Sequence, residues 1–200
     1  MTIDVPQAID DTVSLVRIDS QNPGELEAGC AAWVEHRLRE ARVPVTTVPV
    51  NGGRTNVVAW VEGGEAPRLV LLAHMDTVPV GDGWTVEPLG GAIREGRLYG
   101  RGSADMKAGL AVALNLLESL AQGPPPPGDV VLCATVDEEG PEMAGAHSLV
   151  RNALIREDDQ VLALEPHASR GGTEPVCLAE CGGVGKAEDG RDPRPAGPAI

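Results

Sequence analysis

Phenylalanine is missing from this chain of 200 residues, and Trp and Tyr together bring aromatics to only 2%. A core without large rings must be assembled from Val, Leu, Ala and Ile. With apolar residues at 42%, there are enough of them for a folded domain rather than a disordered chain. Positive charge is also scarce: 16 Lys and Arg against 30 Asp and Glu leave a net charge of −14. That balance argues against nucleic acid and against an anionic membrane surface as partners. No apolar run reaches the roughly 20 residues that a membrane-spanning helix needs. Met1 to Ser20 has neither a basic start nor a long apolar centre, so no signal peptide is read there and the cytoplasm is the expected compartment. The four cysteines (Cys30, Cys133, Cys177 and Cys181) form no CxxC pair. Cys177 and Cys181 resemble half of a metal site, but no second pair of sulfur or imidazole ligands follows at a suitable spacing. Cys133 falls inside a predicted strand, where a free buried thiol is expected.

What the chain does contain is a series of short apolar runs that break off in charged residues. Leu69 to Ala73 (LVLLA) has the pattern of a strand buried on both faces, and it ends in His74 and Asp76. Asp129 to Val136 (DVVLCATV) runs into Asp137-Glu138-Glu139-Gly140, and Gln160 to Leu164 (QVLAL) runs into Glu165-Pro166. Ligands of open α/β sheets sit beyond the carboxyl ends of the strands. Strands that each end in a metal-ligating or basic residue type therefore predict one site at one edge of one sheet.

Around them the spacing predicts helices over 6–18, 25–43, 106–121 and 144–154, the first closed by Asn22-Pro23-Gly24. The expected buried faces are Ile9, Val13, Leu15 and Val16 on the first, and Ala28, Ala32, Trp33, Leu38 and Ala41 on the second. On the third, Leu110, Val112, Ala113, Leu114, Leu116, Leu117 and Leu120 cover most of the circumference. Strands are predicted over 45–50 and 55–61, a hairpin pairs 92–94 with 97–99, and a further strand is expected over 175–180. No internal repeat is visible. Strands alternating with helices give an α/β expectation: a three-layer αβα sandwich around a mostly parallel sheet.

Collected at the strand ends, and in the loop after Tyr99, are His74, Asp76, Asp105, Glu138, Glu139 and Glu165. One imidazole among several carboxylates is a hard N/O donor set, suited to zinc, cobalt or manganese. His74 and Asp76 point the same way off an extended backbone, as a metal ligand and the carboxylate that orients it would. Asp105 is placed to bridge two ions. Adjacent Glu138 and Glu139 cannot easily hold the same ion, which divides them into a ligand and a general base. Plainer readings stand beside these: a satisfied core histidine at His74, a helix N-cap at Asp105, a solvated pair at Glu138-Glu139 and an ordinary turn at Glu165. His36 and His147 read as surface residues, and His167 is not counted as a ligand although it lies close by.

Four motifs then occur in order: His74-Met75-Asp76-Thr77-Val78-Pro79, Gly100-Arg101-Gly102-Ser103-Ala104-Asp105-Met106-Lys107, Asp137-Glu138-Glu139-Gly140 and Glu165-Pro166. This series resembles the dinuclear metallohydrolase family of acetylornithine deacetylase, succinyl-diaminopimelate desuccinylase, aminoacylase and carboxypeptidase G. The resemblance implies a zinc-peptidase-like catalytic domain that hydrolyses amide bonds of N-acyl amino acids or small peptides with two zinc ions, cobalt or manganese serving as substitutes. It implies His74 and Glu165 on one ion, and Asp105 bridging to a second ion that Glu139 also holds. It further implies Glu138 as general base, Asp76 orienting His74, and a cis peptide after Asp105. On the same resemblance, 1–183 is the N-terminal part of the catalytic domain and 184–200 an irregular tail rich in Gly, Pro, Asp and Arg. The family's lid or dimerisation domain and its late histidine ligand find no counterpart, which leaves the oligomeric state open. The alternative reading is a truncated or frameshifted, non-catalytic fragment with a partial metal site. A metal-binding or interaction module comes third.

Overall fold

The computed structural model describes residues 2–23, 27–166 and 181–182. Its main sheet contains β1 (Val45–Pro49), β2 (Thr55–Val61), β3 (Leu69–His74), β6 (Val130–Thr135), β7 (Gln160–Ala163) and β8 (Cys181–Gly182), while β4 (Ala92–Arg94) and β5 (Arg97–Tyr99) form a separate hairpin. The order across the main sheet is β1-β2-β6-β3-β7-β8. β3 lies parallel to both of its neighbours, β6 and β7. The apolar runs singled out in the sequence are therefore adjacent strands, and their carboxyl ends share one edge. The α/β class holds, with parallel pairing confined to this central trio. β1 with β2, β2 with β6 and β7 with β8 are antiparallel. The link from Val50 to Arg54 is too short for a crossover, so β1 and β2 return on each other as a hairpin.

Alternation along the strands sets the layers. Val57, Ala59, Leu71, Ala73, Leu132 and Ala134 face one side, and Val58, Val70, Val131 and Cys133 the other. The first side is covered by α1 (Val5–Val16), α2 (Glu27–Glu40) and α3 (Ala108–Ala121), through Leu15, Cys30, Val34, Leu38, Leu110, Leu114 and Leu117. The second is covered by α4 (Ala144–Arg151) through Leu149. The helix faces differ in part from those expected. α1 buries Ala8, Asp11, Thr12, Leu15 and Val16 while Ile9 is 43% exposed. Asp11 is tolerated inside because Gln7 Nε2 (2.8 Å), Asn115 Nδ2 (3.1 Å) and Arg37 Nε (3.2 Å) donate to it, a polar tie that apolar periodicity does not register. α2 turns Glu27, Cys30, Ala31, Val34 and Leu38 inward and leaves Ala28 and Ala32 exposed. Alanine is small enough for either environment and marks a face poorly. On α3, Val112 is exposed as well. The strand expected over 175–180, the tail over 184–200, His167 and Cys177 lie outside the described residues. Among the described residues no helix is long and apolar enough to cross a membrane.

At the amino end of β3, Arg68 grips Asp159. Its Nε donates to Oδ1 (2.7 Å) and its Nη2 to Oδ2 (2.5 Å), while the Arg156 amide donates to the same Oδ2 (2.7 Å). Burial by itself would raise the Asp159 carboxyl, but these bonds hold it below the usual carboxylate range. A lowered folded pKa contributes stability above the unfolded value of about 4, and that contribution is lost as pH falls through the folded value. Asp159→Ala is expected to cost roughly 3 kcal/mol at pH 7, the scale for breaking a buried pair. Denaturant titrations at successively lower pH should show the gap to wild type closing in acid. A gap that stays constant with pH would mean that the pair's charge contributes nothing.

Candidate metal centre

β3 delivers His74, and then Asp76, to the middle of the shared edge, where both are buried. The loop after β6 brings Glu138 and Glu139, and the segment after β7 brings Glu165. Asp105 arrives from the other direction, in a π-type turn, Ser103–Lys107, that precedes α3. The peptide between Asp105 and Met106 is cis, as the resemblance implies. Gly102 enters that turn at φ 77°, and a Cβ there would lie 2.6 Å from Thr77 Cγ2, so a side chain meets both strain and a clash. At the base of the turn Lys107 is fully buried. Its Nζ donates to Leu15 O (2.9 Å) and Ile18 O (2.9 Å), which ties the turn to the carbonyls at the carboxyl end of α1.

The His74 Nδ1 lies 2.9 Å from the backbone carbonyl of Asp76. A carbonyl only accepts, so Nδ1 carries the hydrogen and Nε2 is the nitrogen turned to the carboxylates. Nε2 is 3.2 Å from Asp105 Oδ1, 3.6 Å from Glu165 Oε1 and 3.7 Å from Glu138 Oε2. Two overlapping groups bring their donor atoms within 4.8 Å of one another: His74 with Asp105 and Glu165, and His74 with Glu138 and Glu139. The Asp76 carboxylate stands 3.6 Å from Nδ1. Its shorter contacts are with the next loop, since Oδ1 accepts from the Glu138 amide (3.1 Å) and Oδ2 from the Glu139 amide (3.0 Å). Asp76 thus faces His74 and also fastens the Glu138–Glu139 turn to β3. Asp105 caps no helix: the N-cap of α3 is Lys107, and no side chain caps that end. His36 and His147 are exposed, and His36 pairs with Glu40 at 3.4 Å.

The electrostatics are those of a negative cup around one ring. Burial pulls the His74 pKa down, but the hydrogen bond to Asp105, the Asp76 carboxylate close beside Nδ1 and the charge of Glu165 outweigh it and push it up to about 10. The hydrogen bond to His74 is the main reason Asp105 is held below the usual carboxylate range. Burial, then the charges of Asp105 and Glu138, push Glu165 up to about 7 against the pull of His74. Burial likewise raises Glu139. Several carboxylates gathered around one ring nitrogen, with Glu139 and Glu165 pushed by burial to resist ionisation, fit a divalent cation that would neutralise them. A cleft of about 150 Å³ opens beside them along Val78, Arg101, Ser103, Asp105 and Glu139. A wider groove of about 520 Å³, along Asp4, Gln7, Asn115 and Glu118, lies at the far end of α3 and has no imidazole or sulfur on its wall.

Asn22, in the sequence a helix breaker, and Arg54, which no motif contains, both reach this edge. Asn22 Nδ2 donates to Asp76 Oδ2 (2.8 Å), and Arg54 pairs with Asp137. No local spacing connects them to the motifs. For Arg54 the one signal is its place directly before the strand predicted over 55–61, and for Asn22 there is none.

The model of the peptidase family M20/M25/M40 matches residues 70–179. The chain is 38% identical over 141 residues to a succinyl-diaminopimelate desuccinylase of Cereibacter sphaeroides, a match covering 70% of this chain and 37% of that protein. It is 37% identical over 153 residues to the enzyme of the same name from Ruegeria pomeroyi, covering 75% and 39%. Among solved structures it resembles an M20 family metallo-carboxypeptidase from Sulfolobus solfataricus with a TM-score of 0.71 at 20% identity, over 78% of this chain and 37% of that one. The chain therefore spans less than half the length of the relatives it matches.

Proposed function

The chain belongs to peptidase family M20/M25/M40, and on that premise we propose that it carries out metal-dependent hydrolysis of an amide bond in an N-acyl amino acid or small peptide. The observation that carries the reading is the convergence on His74 Nε2 of Asp105 at 3.2 Å and Glu165 at 3.6 Å, with Glu138 at 3.7 Å behind them. His74, Asp105 and Glu165 would hold one ion, and Glu139, with Asp105 between, would hold a second. Zinc suits this imidazole and carboxylate set, and cobalt or manganese can replace it. When bound, such an ion supplies Lewis acidity toward a carbonyl oxygen and lowers the pKa of water.

The chain's own residues divide the remaining work. Glu138 takes a proton from the attacking water as its oxygen bonds to the amide carbon, and returns that proton to the nitrogen as the C–N bond breaks. The products are a carboxylate and an amine. The Asp76 carbonyl keeps His74 in the tautomer that presents Nε2, and the Asp76 carboxylate sets Glu138 and Glu139 at their heights through their amides. The desuccinylase likeness makes N-succinyl amino acids the first substrates to try. The buried free thiols Cys30 and Cys133 suit the cytoplasm as compartment.

Hydrolysis of N-succinyl and N-acetyl amino acids, measured before and after chelation, tests the reading. Turnover that chelation removes and zinc or cobalt restores is expected. Metal-independent turnover, or a zinc-loaded chain that cleaves neither substrate, overturns it.

A further inference from the structure

The turn that carries Glu138 and Glu139 is held by a side chain far from it in sequence. Residues 20–22 run beside the end of β3: the Thr77 amide donates to Ser20 O (3.0 Å) and the Asn22 amide to Thr77 O (2.8 Å), with Gln21 and Thr77 in parallel register. This lays Asn22, 5% exposed, between two carboxylates. Its Nδ2 donates to Asp76 Oδ2 (2.8 Å) and to Asp137 Oδ1 (3.1 Å), and its Oδ1 accepts from Arg54 Nη2 (3.2 Å). Arg54 closes the group by pairing with Asp137 and, at 3.1 Å, with the buried Glu27.

A side-chain amide is suited to this position. It has two N–H donors for two carboxylates and an oxygen for the guanidinium. Asp76 and Asp137 are both buried, where a carboxylate oxygen left without a hydrogen bond is costly. Both therefore call for donors. The packing leaves no slack. Asp137 sits in the left-handed region at φ 62°, and a Cβ on Gly140 would lie 2.2 Å from Asp137 Oδ1 and 3.0 Å from Asn22 Nδ2.

We propose that Asn22 is a positioning residue: by bridging Asp76 and Asp137 it holds the turn that presents Glu138 and Glu139 to His74. Asn22 touches none of the would-be ligand atoms and acts through the carboxylate whose two oxygens accept the Glu138 and Glu139 amides. Its consequence for metal rests on the reading above, while its effect on the turn does not. Amide hydrogen exchange on the metal-free chain reads the turn directly. In Asn22→Ala, exchange at Glu138 and Glu139 should speed up about tenfold, the scale of one hydrogen bond to a charged group, while Leu132 in β6 keeps its wild-type rate. Asn22→Asp keeps the shape but replaces the donor by an oxygen, and should be at least as fast as Asn22→Ala. Should Asn22→Ala fail to fold, Asn22→Ser carries the same comparison.

Cobalt titration followed by visible absorption then reads the consequence. Affinity should fall roughly 10- to 100-fold in the variant, as it does when partners behind metal ligands are removed. Unchanged exchange at Glu138 and Glu139 in both variants overturns the proposal, and so does acceleration that is equal at Leu132. A wild-type chain that binds no cobalt overturns the metal reading alone, and the exchange rates still decide the role of Asn22.

Discussion

Glu138→Gln is expected to lower amide hydrolysis about 10²- to 10⁴-fold, the usual contribution of a general base, while metal content stays near the wild-type level. The amide of Gln keeps the shape of the carboxylate but cannot take a proton. The neighbouring substitution separates the two roles. Glu139→Gln should lower metal content first and activity as a result, because Glu139 is cast as a ligand. The two residues are consecutive, yet their amides go to different oxygens of Asp76, Glu138 to Oδ1 and Glu139 to Oδ2. That fastening holds each at its own height, so one can face the reacting carbonyl while the other faces an ion. Turnover of N-succinyl and N-acetyl amino acids and metal analysis on the same preparations provide the comparison. Equal metal loss from both substitutions would show that the division between base and ligand is drawn wrongly.

The central strands were legible in the sequence because a strand covered on both faces needs apolar residues at every position. β3 and β6 are covered in that way, whereas β7 reads the same but is only half-buried, and the pairing of β3 with both others explains why their charged ends meet. The candidate site residues stand out for a related reason. A histidine or carboxylate directly after a buried strand is costly unless it has a partner or a task. Helix faces were less legible. Ile9 is exposed and Asp11 buried on α1 because Arg37 and Asn115 reach Asp11 from the two neighbouring helices, and residue spacing within one helix cannot show that. The antiparallel outer strands were hidden for a different reason, since direction depends on the length of the links and not on the strands themselves. In the sequence Asn22 is punctuation and Lys107 part of a motif. Their partners, Asp76 and Asp137 for one and the end of α1 for the other, are distant in sequence, and only the fold brings them together.

His74→Ala should lower affinity for a zinc-class ion by roughly 3 kcal/mol, about a hundredfold, taking one ligand as about a quarter of the binding free energy of a four-ligand zinc site. The ring is the one nitrogen donor in either candidate group, and the remaining ligands are carboxylates that already crowd one another. The same substitution should change the proton balance. Without metal the His74 pKa is pushed up to about 10 by its carboxylate neighbours, so at pH 7 the ring is cationic and must lose a proton before Nε2 can bind an ion. Glu165, at about 7, is partly protonated there and gives up a further fraction. The sign follows. The raised His74 pKa strengthens the metal-free fold below the unfolded value of about 6.5, and this contribution fades as pH rises through about 10. Metal competes with that proton, so affinity should climb with pH across the same interval. Calorimetric titration with zinc in two buffers of different ionisation enthalpy measures the released protons. The wild type should release about one from His74 plus the Glu165 fraction at pH 7. His74→Ala should release only the carboxylate share. A variant that keeps both the wild-type affinity and the wild-type proton release would remove His74 from the ligand set, and with it the metal centre at the end of β3.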